Sequence, residues 1–407
     1  MKKTKIPQLQ TLPCQDGVSH ALREWTKLVV AHFPQLSQPQ AAVLACWSLG
    51  LVLAQACGLS AVALALATAL SKKENSVRQR LREFYQEATA KAGDRRTDFE
   101  VETCFEALLQ WVLEDWAGTQ LALALDATTL GQRFTVLCVS VLYRGCALPV
   151  AWVILPATQK EAWRPHWLRL LRRVRTSVPP GFTVLVLADR GLYARWLFKR
   201  ICDLKWHPLL RVNLGGQFRP DGQFAFRPFK QLVPEVGSQW SGVGTAFKTP
   251  GAQLRCTLLA CWTEGYTDPW LILTDLPPEN AEVVWYGWRA WIEQGFKLTK
   301  RAGWQWQRTR MTNAQRAARL WLAVAVATLW LVSIGGQADA ALEAATLPAV
   351  NVKRRTSGTR WRATGIFRRG LVTVLMNLLN QKFTLPARFF PDPLPASTTT
   401  TVGDRGT

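Results

Sequence analysis

Acidic residues are scarce in this chain. Its 407 residues carry 28 Asp and Glu against 50 Lys and Arg, a formal charge of +22. That balance excludes an acidic chain and favours a polyanionic partner, either nucleic acid or an anionic membrane surface. Histidine is rare too. The four His residues are dispersed, and no two belong to a ligand set or a Ser-His-Asp arrangement. The nine cysteines are odd in number and form no CxxC pair. This argues against a zinc cluster or a disulfide framework, and for reduced thiols in a cytoplasmic protein. A secretory leader is not expected, because residues 1–18 are polar and hold Pro7 and Pro13. No internal repeat is found.

Two long apolar stretches are present. Residues 41–70 run without a charge, and residues 320–335 are nearly as apolar. By hydropathy the first could span a bilayer. Gly50, Gln55 and Gly58-Leu-Ser60 interrupt it, which suits two short buried helices joined by a turn. The expectation is a chain with no membrane span.

The N-terminal part, residues 1–112, reads as all-helical. Helices are expected over 19–33, 40–57 and 60–69. A polar turn at Ser71-Lys-Lys-Glu-Asn then leads into a charged helix over 76–91 with Arg78, Arg80 and Arg82. Short helices, a tight turn and a basic helix suit a helix-turn-helix, or equally a bundle with a solvated basic face. Residues 113–205 and 271–335 read as an α/β core, separated by a β-rich insertion over 206–270 that is dense in Gly, Pro and Phe. A basic region follows over 336–390. The Pro/Thr-rich tail over 391–407 has the composition of a disordered segment. Residues 297–370 hold fourteen basic and two acidic residues, with Trp304, Trp306 and Trp361 among them. That composition suits a surface following phosphates, or a solvated basic face.

Two apolar runs end at a carboxylate: Gln120-Leu-Ala-Leu-Ala-Leu-Asp126 and Phe182-Thr-Val-Leu-Val-Leu-Ala-Asp189. Both read as buried strands. Between them lie two Val/Leu-rich runs joined at Arg144-Gly145, then a basic helix over 163–175. A helix from about Tyr193 to Leu204 follows the second. An Asp after a strand is often only a turn or cap residue, and Asp203, Asp221, Asp268 and Asp275 read as solvated loop acids. Farther on, Tyr286, Arg289, Glu293 and Lys300 are spaced so that one helix would place all four on a single face. A carboxylate flanked by cations can hold a divalent metal while the cations hold phosphates. Oxygen-only donors select Mg2+ or Mn2+.

The spacing Y-x2-R-x3-E-x6-K resembles the Tyr-Arg-Glu-Lys signature of bacterial insertion-sequence transposases, the group that includes insertion-sequence family four. These are DDE transposases, and Asp189-Arg-Gly-Leu-Tyr193 is similar to the turn around their second aspartate. The resemblance covers roughly residues 115–335. It implies a ribonuclease H-like catalytic core in an α/β chain, with a β-rich insertion and an all-helical N-terminal domain that recognises transposon ends. It implies Asp126, Asp189 and Glu293 as catalytic metal ligands for Mg2+, with Mn2+ substituting. Tyr286, Arg289 and Lys300, with Arg190 in a lesser role, would hold the DNA strand. Trp240, in the insertion, would stack on a flipped base. The implied activity is cleavage at terminal inverted repeats and strand transfer into double-stranded target DNA, by a homodimer at the bacterial nucleoid in the cytoplasm. A ribonuclease H-like nuclease without strand transfer, a non-catalytic transposase-derived DNA-binding protein and a basic membrane-associated protein remain as alternatives.

Overall fold

Local signals set the start of the chain. Ser37-Gln-Pro-Gln40 forms a capping box: the Gln40 N–H donates to Ser37 Oγ, and the Ser37 N–H donates to Gln40 Oε1. Two orphan donors are thereby satisfied at a helix start. The computed structural model describes residues 14–91, 97–159, 162–345 and 364–395. Five helices come first: α1 (Cys14–His32), α2 (Gln38–Ala54), α3 (Leu59–Ala69), α4 (Glu74–Tyr85) and α5 (Cys104–Glu114). The uncharged stretch is two helices, α2 and α3, bent by 92° at their junction. The charged helix stops at Tyr85, short of Lys91. Its last carbonyl is taken by Arg319, whose Nη1 donates to Tyr85 O at 3.0 Å.

Three strands follow: β1 (Gln120–Leu130), β2 (Phe134–Tyr143) and β3 (Cys146–Pro156). Arg144 and Gly145 join β2 to β3, with φ of 46° and 82°. Two consecutive positive φ values match the right-handed twist of a two-residue hairpin, and Gly accepts such a conformation without steric cost. Then come α6 (Arg164–Ser177), β4 (Thr183–Ala188), α7 (Arg195–Asp203) and β5 (His207–Arg211). The segment expected as a small insertion supplies β6 (Gln217–Pro220), β7 (Arg227–Pro228), the short α8 (Phe229–Leu232), β8 (Gln239–Ala246) and β9 (Leu254–Cys261). After β10 (Trp270–Thr274) the chain is helical: α9 (Ala290–Lys297), α10 (Ala314–Ala345) and α11 (Ile366–Leu379).

All ten strands form one sheet, in the order β3-β2-β1-β4-β5-β10-β9-β8-β6-β7. The β-rich segment therefore continues the main sheet. Strand β1 pairs parallel to β4 and antiparallel to β2, while β2 pairs antiparallel to β3. Strands β3, β1, β4 and β5 thus share one direction, and their C-terminal ends share one edge.

The sheet and the N-terminal helices pack into a common core that includes α10. Trp25 of α1 stacks on Trp330 of α10 at 4.4 Å and donates its indole N–H to Ser48 of α2. Eight tryptophans are almost fully buried (Trp25, Trp47, Trp152, Trp167, Trp304, Trp306, Trp321, Trp330), so much of the high Trp content is packing. Helix α10 is long and apolar enough to cross a membrane by length and composition, and its apolar window is wholly buried within the molecule. Cys46, Cys57, Cys104, Cys138, Cys146, Cys202, Cys256 and Cys261 are free thiols. Residues 391–395, expected to start a disordered tail, lie against the body: Trp285 donates to Pro395 O at 2.9 Å, and Asp392 pairs with Arg144. The rest of that tail, 396–407, lies outside the described residues.

Candidate active site

Strand β1 does not end at Asp126. It continues to Leu130, so Asp126 sits within the strand opposite Cys138, beyond the end of β4. The residue is 9% exposed, and Oδ1 accepts the Ala127 N–H at 2.8 Å. Burial pushes the carboxyl up to about 6; the nearby Arg289 guanidinium opposes this and Asp189 adds to it.

Asp189 is the first residue after β4. Its Oδ1 accepts the backbone N–H groups of Gly191 and Leu192 at 3.0 and 3.2 Å, an Asx-type turn. Oδ2 is directed at Arg289. The turn role and the site role fall to different oxygens of one carboxylate.

The four-residue signature does not lie on a single regular helix. Residues Val283–Arg289 are 3-10, α9 begins at Ala290, and Leu298–Ala302 is a π turn. In 3-10 geometry positions i and i+3 eclipse, which sets Tyr286 directly over Arg289. Tyr286 is nonetheless buried, 5% exposed, with its ring edge-on to Trp270 at 5.4 Å. Burial raises its phenol pKa, and the side chain is a packing group here. Lys300 donates to Thr128 Oγ1 at 2.6 Å. Burial lowers its pKa and Asp126 partly offsets the effect.

Arg289 is the hub. Its Nη2 donates to Asp126 Oδ2 at 2.9 Å and to Asp189 Oδ2 at 3.4 Å, and its Nη1 donates to Glu293 Oε1. Burial opposes its charge, but the carboxylates of Asp126, Asp189 and Glu293 outweigh burial and raise its pKa. Three carboxylates from three distant segments thus converge on one guanidinium. The exposed Glu293 lies at the open side, and Asp126 at the buried one.

Arg190 and Trp240 do not join this cluster. Arg190 pairs with Asp268 at 3.2 Å. Trp240 lies on β8, four strands away from β4, or roughly 19 Å at ordinary strand spacing. It is half-buried, with its ring edge-on to Phe218 at 5.5 Å. The loop acids read as solvated are mostly paired as well: Asp221 with Arg255, Asp268 with Arg190 and Asp275 with His207.

Part of the expected phosphate surface over 297–370 is structural, while Lys297, Arg301, Arg308, Arg310 and Arg368 are exposed. Arg319 is 5% exposed and donates to Phe99 O and Tyr85 O. Arg316 holds Glu87 at 2.6 Å. Trp304 and Trp306 are each 1% exposed. Lys353, Arg354, Arg355, Arg360, Trp361 and Arg362 lie outside the described residues. Thr128, which the sequence reading missed, was within reach of the period-two rule: it is two residues after Asp126 and therefore on the same face of β1.

The donors are all oxygens of carboxylates, the kind of set that suits a hard divalent cation. Among the described residues no three Asp, Glu, His or Cys side chains stand close enough together to hold a metal ion. In this arrangement the guanidinium takes the positive-charge position instead. Carboxylates gathered at the C-terminal edge of parallel strands, with cations beside them, are the equipment of a phosphoryl-transfer site. The sequence profile of the Transposase DDE domain family matches residues 118–330, more than half of the chain, and the chain belongs to that family. A solved piggyBac transposase, in a synaptic complex with hairpin DNA, is similar at 9% identity, covering 90% of this chain and 80% of its own, with a TM-score of 0.36. A likeness that weak carries no detail of fold or site. No curated protein matches the chain.

Proposed function

We propose that the chain is a DNA transposase of the cut-and-paste kind, with Asp126, Asp189 and Glu293 as its catalytic carboxylates. The supporting observation is their convergence: residues 126, 189 and 293 are far apart in sequence, lie within the matched region and meet at Arg289. The strand order β3-β2-β1-β4-β5, with β2 reversed, supports a ribonuclease H-like core. Strands β6 to β9 would be its insertion.

Asp126, Asp189 and Glu293 would hold Mg2+ or Mn2+, through the oxygens that now face Arg289. When bound, such a cation neutralises charge developing on the phosphate oxygens in strand cleavage and transfer. The protein side chains do the rest. Thr128 steers Lys300 toward the site, where its ammonium can hold a DNA phosphate. Arg289 keeps the carboxylates together. Asp126 accepts from Ala127, which fixes its plane. The N-terminal helices would read the transposon ends, with α4 presenting Gln79, Arg80 and Arg82 outward after a tight turn at 70–73. A homodimer on paired ends is part of the proposal.

The test is an in vitro reaction with linear DNA carrying the element's flanking repeats and Mg2+ or Mn2+. Wild-type protein should nick the ends and yield joined products. Asp126→Ala, Asp189→Ala and Glu293→Ala should each abolish cleavage while retaining DNA binding. Full cleavage by any one of the three would overturn the assignment, and cleavage without joined products would reduce it to a nuclease.

A further inference from the structure

We infer that the exposed C-terminal half of α6 holds the phosphate backbone of duplex DNA. The inference rests on the reading of the chain as a DNA-processing enzyme. Helix α6 buries Trp167, Leu170, Leu171 and Val174. Arg164, Arg169, Arg172, Arg173 and Arg175 face solvent, and the helix contains no acidic residue. Arg169 is paired with Glu102 at 3.1 Å. Arg172, Arg173 and Arg175 have no ion-pair partner among the described residues, whereas Arg144, Arg289, Arg316 and Arg319 are all held by protein acids.

The topology places the start of α6 at the edge where the carboxylates gather, and the Arg172–Arg175 cluster farther back along the helix. Strand β3 runs in the same direction as β1 and β4, so α6 starts at the edge where the carboxylates gather and runs back toward the opposite edge. The connections β3-α6-β4 and β4-α7-β5 step the same way across the sheet. Right-handed crossovers then put both helices on one face. The contact between them agrees: the Arg164 guanidinium lies over the Trp196 ring at 5.5 Å, in the first turn of α7. A helix of this length covers about 20 Å, a stretch of duplex several base pairs long. The three unpaired guanidinium groups fall within one turn of it, about 5 Å of rise; such a cluster is complementary to neighbouring phosphates, and its contacts release counterions.

The experiment uses the full-length protein and a fluorescein-labelled 30-base-pair duplex of arbitrary sequence, read by anisotropy across a salt titration. The charge-reversal double variant Arg172→Glu/Arg173→Glu changes only exposed positions, and its melting curve should match wild type. Its affinity near 0.15 M salt should fall about tenfold or more, and the slope of log K against log salt should shrink by about two. An unchanged slope would overturn the inference. So would undiminished DNA binding accompanied by loss of binding to phosphatidylserine vesicles, which would assign the face to a membrane. Intact binding with no cleavage by wild-type protein would sink the transposase reading and leave α6 standing. Normal cleavage with an unchanged salt slope would do the reverse.

Discussion

Asp126 carries the conflict at the centre of the site. It is buried, it faces two other acids, and Arg289 compensates only in part, so its carboxyl is pushed up to about 6. A raised carboxyl pKa means the folded chain binds that proton more tightly than the unfolded one. The resulting stabilisation is complete below pH 4 and is lost as pH rises through about 6. Asp126→Asn removes the charge and should therefore melt higher than wild type at pH 8 in EDTA. The gain would be roughly 2–3 kcal/mol at most, from about two units at 1.36 kcal/mol each, and should vanish near pH 4. A gain equal at both pH values would contradict this account.

At the scale of elements, two crossings hold the site's support in place. The first is the signature segment, whose change from 3-10 to α to π brings Arg289, Glu293 and Lys300 to bear on β1. The second is the pair α10 and α11, which touch backbone to backbone. A Cβ built on Gly370 would stand 1.8 Å from Leu331 O, and one on Gly335 would stand 1.9 Å from Ile366 O. Neither position has room for a methyl group. Gly370→Ala should force the helices apart and cost at least about 2 kcal/mol, at the upper end for overpacking. Urea denaturation measures it, and a change under about 0.5 kcal/mol, the scale of a neutral surface substitution, would mean the crossing is loose.

For the whole molecule, the N-terminal helices and the catalytic half share one core. Arg319 of α10 ties to Tyr85, Phe99 and Asp98, and Trp25 stacks on Trp330. A chain starting at residue 113 would uncover one side of a very apolar helix. It should lose its cooperative melt and bind a hydrophobic dye. A soluble fragment with a sharp thermal transition would show instead that residues 1–112 form a separable domain.

Local pattern made much of this legible. Continuous apolar runs, the acids that close them and the Y-x2-R-x3-E-x6-K spacing depend on neighbours a few residues apart, so the strands β1 to β4, the helices α6 and α7 and the three carboxylates could be picked out from residue order alone. The break in the apolar run at Asp126 hid the true end of β1, because β-branched Thr128 and Thr129 extend a strand as readily as they leave one. What packing decided is which charges are spent. Arg316 and Arg319 look in sequence like Arg172 and Arg173, yet the first two are held by Glu87 and Asp98 on distant segments. Tyr286, Trp304 and Trp306 look like ligand-facing groups and are packed away. Whether a cation faces phosphate or an acid of its own chain depends on what folds against it, and no local pattern contains that. The sequence by itself determined the acids, the cations and the elements that carry them. Only the tertiary structure decided that Asp126 and Asp189 join Glu293 at Arg289, because those two contacts span 163 and 100 residues of chain.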